Sequence, residues 1–367
     1  VHLKFYIFIL IFLIQFPIQA FDRVKLIGDI TIATGTKFKE TEIGGLSSIV
    51  YDKKNNSLLA ISDDKSIVNN ARFYEFEFTL TEKFFTIAPK NVVTLLDKSE
   101  IPFKKHSVDF EGITIFNDSI IIASEGGINR EPPIPSALFH FSREGKLIEM
   151  LDVPNKYLPP AIGEDKKHGP RDNLAFEALS TTQDGKTFFV GMEESLLQDG
   201  NISTTLKNSL TRIIKYQDQK PTKEYLYPLD LVPSIPVAGL TVGETGLVDI
   251  AAIDENTFYT LERAYLPLAK KHIIKIFKVT NLEKATDVSK IESVLINKDL
   301  TVLKKEIILN LDSIVEELKD TNKSLDNIEG ICFGPVLANG HSTLVLVSDN
   351  NFNKNQKTQF LAFELIP

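Results

Sequence analysis

The residues of this chain best able to do chemistry are carboxylates, and they recur at the ends of similar segments. "VDFEGITIFNDSIIIASEGG", residues 108 to 127, sets Glu111 before a short apolar run and Glu125 after a second one, with a polar turn between. The same grammar returns in "GGLSSIVYDKKNNSLLAISDD" (44 to 64), "EALSTTQDGKTFFVGMEES" (177 to 195), "VDIAAIDENTFYTLERAY" (248 to 265) and "EGICFGPVLANGHSTLVLVSDNN" (329 to 351). Each exit carries an acid: Asp63, Glu125, Glu193, Glu262 and Asp349. Three starts carry Glu111, Glu177 and Glu329; the first repeat has Gly44, and the fourth has Val248 followed by Asp249.

In an antiparallel hairpin the start of one strand and the exit of the next lie at the same end. Five such hairpins around an axis would crowd their acids at one mouth. Carboxylates so placed raise one another's pKa values unless a cation sits among them, and many hard oxygens suit calcium. Glu111, Glu125, Glu177, Glu193, Glu262, Glu329 and Asp349 are therefore candidate metal ligands, with Glu111, Glu177 and Glu329 also candidate catalytic carboxylates. The competing reading has each acid accept backbone N–H groups in a tight turn, or pair with a neighbour such as Arg130 or Arg263. Arg130, Arg171 and Arg263 are candidate substrate-binding residues, because a guanidinium fork matches a phosphate or sulfate monoester; they serve equally as salt-bridge partners.

Other chemistries find little support. Six histidines are scattered without metal-ligand spacing, and no G-x-S-x-G elbow, P-loop or dinucleotide fingerprint occurs. No nucleotide or organic cofactor is expected. Cys332, the single cysteine, lies in an apolar run and reads as a small core residue.

The elements that must position these acids follow from the repeat. Starts at 44, 111, 177, 248 and 329 are 67, 66, 71 and 81 residues apart, a length suited to a four-stranded blade with loops. Pairs of alternating segments fill the gaps, such as "ARFYEFEF" with "KNVVTLL" and "HIIKIFKV" with "KKEIILNL". The last repeat is followed by one strand, "TQFLAFEL", while "VKLIGDITI" (24 to 32) precedes the first without a partner. An all-β, five-bladed β-propeller closed by that N-terminal strand resolves both facts and leaves no free edge. Six blades would require strands within residues 154 to 172 or "SIVEELKDTNKS"; "DSIVEELKD" (312 to 320) reads instead as a short helix capped by Asp312. Two stacked sandwich domains are the other alternative, against which no Gly-, Pro- or Ser-rich linker divides the chain.

With 367 residues, 43% hydrophobic and 25% charged, the composition is that of a globular chain. Residues 1–20 read as a signal peptide, with Lys4, an apolar run and a cleavage-like end at Ala20; residues 21–367 form the propeller domain. Cleavage would remove Lys4 and no acid, moving the formal charge from −8 to −9. Such a surface argues against nucleic acid. A periplasmic or secreted monomer acting on a small anion is expected, membrane-attached only if the first segment stays uncleaved. One cysteine means that no intramolecular disulfide can replace a packed core.

"NLAFEALSTTQDGKTFFVGMEESLLQDG" (173 to 200), "GLVDIAAIDENTFYTLERAY" (246 to 265) and "NIEGICFGPVLANGHSTLVLVSDNNF" (327 to 352) resemble signature segments of the phytase-like, "esterase-like activity of phytase" family of exported bacterial proteins. The likeness runs from about residue 40 to the C-terminus. Glu177-Ala178 departs from the usual Glu-Gly, and Ala175-Phe176 from a Gly-Phe pair. The resemblance implies a propeller, export and calcium-dependent phosphoester hydrolysis at the acidic mouth. A non-catalytic propeller binding a small anion, sugar or protein is the alternative.

Overall fold

The structure, a computed structural model, describes residues 23–234, 243–297, 299–319 and 323–367; the segment read as a signal peptide lies outside them. β1 (Arg23–Ile32) leads through a small hairpin of β2 (Lys37–Phe38) and β3 (Thr41–Glu42) into the first blade. Blade 1 is β4 (Leu46–Asp52), β5 (Ser57–Ser62), β6 (Arg72–Leu80) and β7 (Phe85–Thr94). Blade 2 is β8 (Phe110–Phe116), β9 (Ser119–Ser124), β10 (Ala137–Phe141) and β11 (Leu147–Leu151). Blade 3 is β12 (Phe176–Thr181), β13 (Thr187–Met192), β14 (Leu210–Gln217) and β15 (Lys220–Pro228). Blade 4 is β16 (Glu244–Asp254), β17 (Thr257–Leu266), β18 (Lys271–Thr280) and β19 (Lys304–Asn310). Blade 5 is β20 (Asn327–Phe333), β21 (Ser342–Asp349) and β22 (Thr358–Ile366), completed by β1 in the order β1-β22-β21-β20.

Five four-stranded antiparallel sheets make a five-bladed propeller, as the repeat predicts, and no strand among the described residues supplies a sixth blade. Residues 154–172 hold only a 3₁₀ turn, Asn155–Tyr157. Leu311–Glu317 is also 3₁₀, and its cap is Asn310, whose side chain accepts the Asp312 N–H at 3.1 Å; the expected cap, Asp312, lies two residues too late.

The core is a ring of five apolar seams, one between each pair of neighbouring blades. Phe110 and Ile113 meet Ile61 and Phe73; Phe188 and Phe176 meet Phe116 and Ile121; Leu247 and Phe258 meet Ala178 and Phe189. Ile328 and Phe363 meet Leu261 and Ile276, and Phe360 and Val345 meet Phe76 and Leu46 across the closing seam, where buried Cys332 also packs. With a single cysteine the chain has no intramolecular disulfide, and the second strand of each blade is buried on both faces.

One irregularity repeats five times. Each inner hairpin slips register near its start, between Leu46 and Ser48, Phe110 and Gly112, Phe176 and Ala178, Leu247 and Asp249, and Ile328 and Gly330. A β-bulge leaves one residue unpaired and re-aims it, here Ser47, Glu111, Glu177, Val248 and Glu329. The next position must be small, since the blades converge: a Cβ on Gly112 would stand 2.6 Å from the Glu177 carbonyl oxygen. Blade 3 meets that demand from across the ladder, pairing Ala178 with Gly191, which leaves room for the methyl group.

Blade 4 breaks the rule of small residues with Asp249, and its fully buried carboxylate fills the axis. It accepts the Ser48 hydroxyl at 3.0 Å from blade 1, the Leu179 N–H at 3.4 Å from blade 3, the Ile250 N–H at 2.9 Å, and the Ile331 N–H at 2.9 Å from blade 5. Four blades are tied to one side chain.

Closure depends on β1, whose Arg23–Ile32 ladder runs along β22. Ile27 is buried, and Val24, Leu26, Ile30 and Ile32 pack against the two seams that flank blade 5. Deleting residues 23–32 is expected to cost on the order of 5 kcal/mol from lost apolar burial and to expose the β22 edge. A urea midpoint and elution volume unchanged by the deletion would show that blade 5 stands without it.

Candidate functional site

The bulge residues and the residues after the second strands form two stacked circles at one mouth. Hydrogen bonds fix the second circle: the N–H groups of Asp63, Glu125 and Glu193 donate to the carbonyls of Gly45, Asp109 and Ala175 at 2.7, 2.9 and 2.7 Å. In blade 5 the matching pair is Asp349 opposite Asn327. In blade 4 it is Arg263 opposite Gly246, because Leu247 pairs with Glu262.

The fourth blade therefore departs from the sequence expectation. Alternation along the strand turns Glu262 away from the ring, where it accepts the Tyr227 hydroxyl at 2.6 Å and the Asp230 N–H at 2.9 Å and pairs with Lys305. Glu262 belongs to the seam between blades 3 and 4. Its ring position is held by a cation: Arg263 reaches Glu193 at 3.0 Å, the Asn327 side-chain oxygen at 3.0 Å and Glu329 at 3.4 Å.

The other proposed ligands converge. Oxygens of Asp109, Glu111 and Glu125 lie within 4.8 Å of one another, and so do those of Glu125, Glu177 and Glu193. Asp63, Glu329 and Asp349 complete the acidic ring on the side of blades 1 and 5, near enough to repel one another. Glu125 is buried and also accepts the Ala175 N–H at 2.9 Å; Asp349 accepts the Asn351 N–H at 2.7 Å. Both turn-forming and clustering readings of the acids thus hold at once. Asp63, Glu177 and Glu329 remain partly exposed, facing the opening.

Sequence reasoning passed over Asp109 and Lys65. Asp109 Oδ2 pairs with Lys65 at 2.5 Å, and its side chain also hydrogen-bonds that of Glu111. "VDFEG" shows Asp109 two places before Glu111, but the other repeats carry Gly45, Ala175, Gly246 and Asn327 there, so no periodic signal marked it.

Eight acids, Asp63, Asp109, Glu111, Glu125, Glu177, Glu193, Glu329 and Asp349, thus share Lys65 and Arg263 as their embedded cations. Burial, then repulsion from Glu329 and Asp109, pushes Asp63 up to about 8. Burial raises Glu193 to about 7 against the pull of Arg263. Glu111, Glu125, Glu177 and Asp349 are held well above the ordinary carboxylate range, by burial first and by neighbouring acids second. The same crowding holds Arg263 and Lys65 charged.

The three arginines separate. Arg171 spends its guanidinium on the Ser195 carbonyl at 2.9 Å and the Gly200 carbonyl, fixing a blade 3 loop. Arg263 is bound inside the ring. Arg130 is exposed beside His106 at 3.5 Å, and its charge partly offsets the burial that raises the Asp109 pKa, so of the three it is the one at the surface beside blade 2.

Arg212, fully buried, binds Asp199 at 2.6 Å and Glu224 at 3.0 Å, with Lys156 and Tyr157 closing that network. No helix among the described residues is long and apolar enough to cross a membrane.

A family model described as "Phytase-like: Esterase-like activity of phytase" matches residues 41–352. An "Uncharacterized secreted protein" of Arthroderma benhamiae is 26% identical over 145 residues, which is 34% of this chain and 27% of that protein, so the match spans about a quarter of that relative. Among solved structures, an endo-arabinase from Bacteroides thetaiotaomicron gives a TM-score of 0.42 at 10% identity, over 89% of this chain and 95% of its own. A beta-fructofuranosidase of Bombyx mori gives 0.41 at 9%, over 88% and 60%. Likenesses at that level bear on neither activity nor ligand.

Proposed function

The chain belongs to the phytase-like family, and on that premise we propose an exported hydrolase that cleaves phosphate esters at the acidic mouth with calcium held among its carboxylates. The observation that supports it is the concentration of buried acids beside exposed Arg130 and His106, with Lys65 paired to Asp109 among them.

The donor set fits calcium. It is all carboxylate oxygen, the hard-ligand chemistry that calcium prefers. Asp109, Glu111 and Glu125, with Glu177 and Glu193, would hold the ion, which when bound polarises a phosphoryl oxygen and acidifies water. The chain's own groups then do the rest. Arg130, exposed at the rim, receives the phosphate as a charge-assisted fork, with His106 beside it. Glu177 is partly exposed, and burial and the neighbouring acids hold its carboxyl well above the ordinary range, so in the metal-free protein it favours its protonated form. The apolar run of residues 1–20 and the secreted relative support export.

Purified protein should release phosphate from a phosphomonoester in calcium and stop on chelation. Arg130→Ala should raise KM about tenfold with little change in kcat, as loss of one charge-assisted contact common to substrate and transition state. Absence of hydrolysis with calcium present would sink the proposal. A melting temperature lowered by chelator in a protein without activity would leave the acids as structural or calcium-binding groups of a binding module.

A further inference from the structure

We propose that the end of blade 2 opposite the mouth carries a second hydrolytic site, in which Ser119, His140 and Glu149 cleave carboxylic esters. The assignment rests neither on calcium nor on the phosphate-ester reading of the mouth.

Three successive strands build the group. Side chains alternate between the faces of a strand and paired residues share a face, so Ser119 and Ile121 of β9 lie with Leu138 and His140 of β10 and Glu149 of β11. His140 stands directly opposite both Ile121 and Glu149. That face turns toward blade 3, where Ile121 and Leu138 join the seam of Phe116, Phe188 and Tyr216. Ser119, next to the Asn117-Asp118 turn, stands where the apolar row of β9 ends.

His140 is 8% exposed, and its ring is held from both sides. Its Nε2 lies 2.7 Å from Ser119 Oγ, and its Nδ1 lies 3.3 Å from Glu149 Oε1. A carboxylate only accepts, so in the neutral imidazole Nδ1 carries the proton and Nε2 presents its lone pair to the serine. Nucleophile, base and orienting carboxylate in that order are what activates a serine, whatever their positions in the chain. The hydroxyl has a second acceptor in the Phe116 carbonyl at 2.5 Å, and rotation about its bond transfers the proton from that acceptor to the base. Arg143 donates to the Asp118 carbonyl at 3.1 Å and its carboxylate at 3.2 Å, which fixes the turn preceding Ser119. Ser119 is half-buried and Glu149 exposed, so the group opens to solvent.

The reaction runs in two balanced halves. Ser119 Oγ bonds to the ester carbonyl carbon as its proton passes to His140 Nε2; the ester C–O bond then breaks, and the leaving oxygen departs as an alcohol with that proton. Water next bonds to the acyl carbon and gives a proton to Nε2, the acyl–Oγ bond breaks, and the proton returns to Oγ as the acid leaves. Ser119 and His140 are the catalytic residues. Glu149 is a positioning residue that acts through the ring.

The test treats the full chain, in chelator, with p-nitrophenyl acetate and separately with a fluorophosphonate probe followed by peptide mass mapping. Nitrophenolate release that persists in chelator and a label on Ser119 are expected. Ser119→Ala should lower kcat/KM on the order of a hundredfold, and Glu149→Gln should lower kcat roughly tenfold with KM unchanged, a split that loss of fold would not produce. An unlabelled Ser119 in the parent protein would overturn the triad, and that reading needs no variant to fold. Ester hydrolysis that survives Ser119→Ala, or that stops in chelator, would overturn it as well.

Discussion

Asp249→Ala is expected to cost on the order of 3 to 6 kcal/mol, enough to unfold a domain of ordinary stability at moderate temperature. The side chain lies on the axis and accepts N–H groups of Leu179, Ile250 and Ile331 and the Ser48 hydroxyl. Truncation strands three backbone donors where water cannot reach and opens a void between converging strands. Asp249→Asn keeps the volume and one accepting oxygen, so it should cost roughly half as much. Burial pushes the Asp249 carboxyl well up while its donors pull it down, so the carboxylate is poorly solvated yet fully engaged. Urea denaturation of both variants decides the matter. An alanine variant within about 1 kcal/mol of the parent would mean that the blades hold together without their axial tie.

Metal-free protein should lose stability as pH rises from about 4 to about 8, opposite to the usual behaviour of paired carboxylates. Asp63, at about 8, and Glu193, at about 7, sit above the 3.8 and 4.5 of an unfolded chain. The native state then binds more protons than the unfolded one across that window, and each such proton lowers stability by about 1.4 kcal/mol per pH unit. The contribution is fully present below about pH 4 and gone once pH passes the folded-state values. Facing these acids are Lys65 and Arg263 within the ring and Arg130 at the rim, too few to reverse the sign. Calcium should raise the melting temperature more at pH 8 than at pH 5, since ligands must shed protons to bind it. Thermal melts at three pH values, with and without chelator, give the answer; a metal-free melting temperature that climbs steadily to pH 8 would contradict the crowding of the acids.

Much of the architecture was legible because β-strands announce themselves locally. Period-two runs, polar turns and a repeat of constant grammar defined five blades, and the unpaired strands at the two ends implied their own pairing. The ring was legible in outline, through acids that recur where hairpins must open. Its fourth member was not. Glu262 and Arg263 are adjacent, and only the bulge at Val248 decides which of them faces the axis; a shift of one residue exchanges the faces of a strand. Asp109 and Lys65 were invisible for another reason, since neither recurs in the other repeats. Asp249 stood in the sequence as a displaced acid, and its function as an axial acceptor exists only after blades 1, 3 and 5 have closed around it.

Closure also sets an order in time. Lys25 pairs with Glu364, 339 positions away, so the ring's first strand, β1, must wait for its last, β22. Until then β22 has one open side and β1 has none of its partners, while the central blades, joined by short hairpins, can already form. Contacts of such separation fold slowly and leave sheet edges exposed in the interval. A chain that leaves the ribosome, or crosses a membrane, from its N-terminus therefore carries the ring's latch in front and its catch behind, and closes only after β22 has emerged.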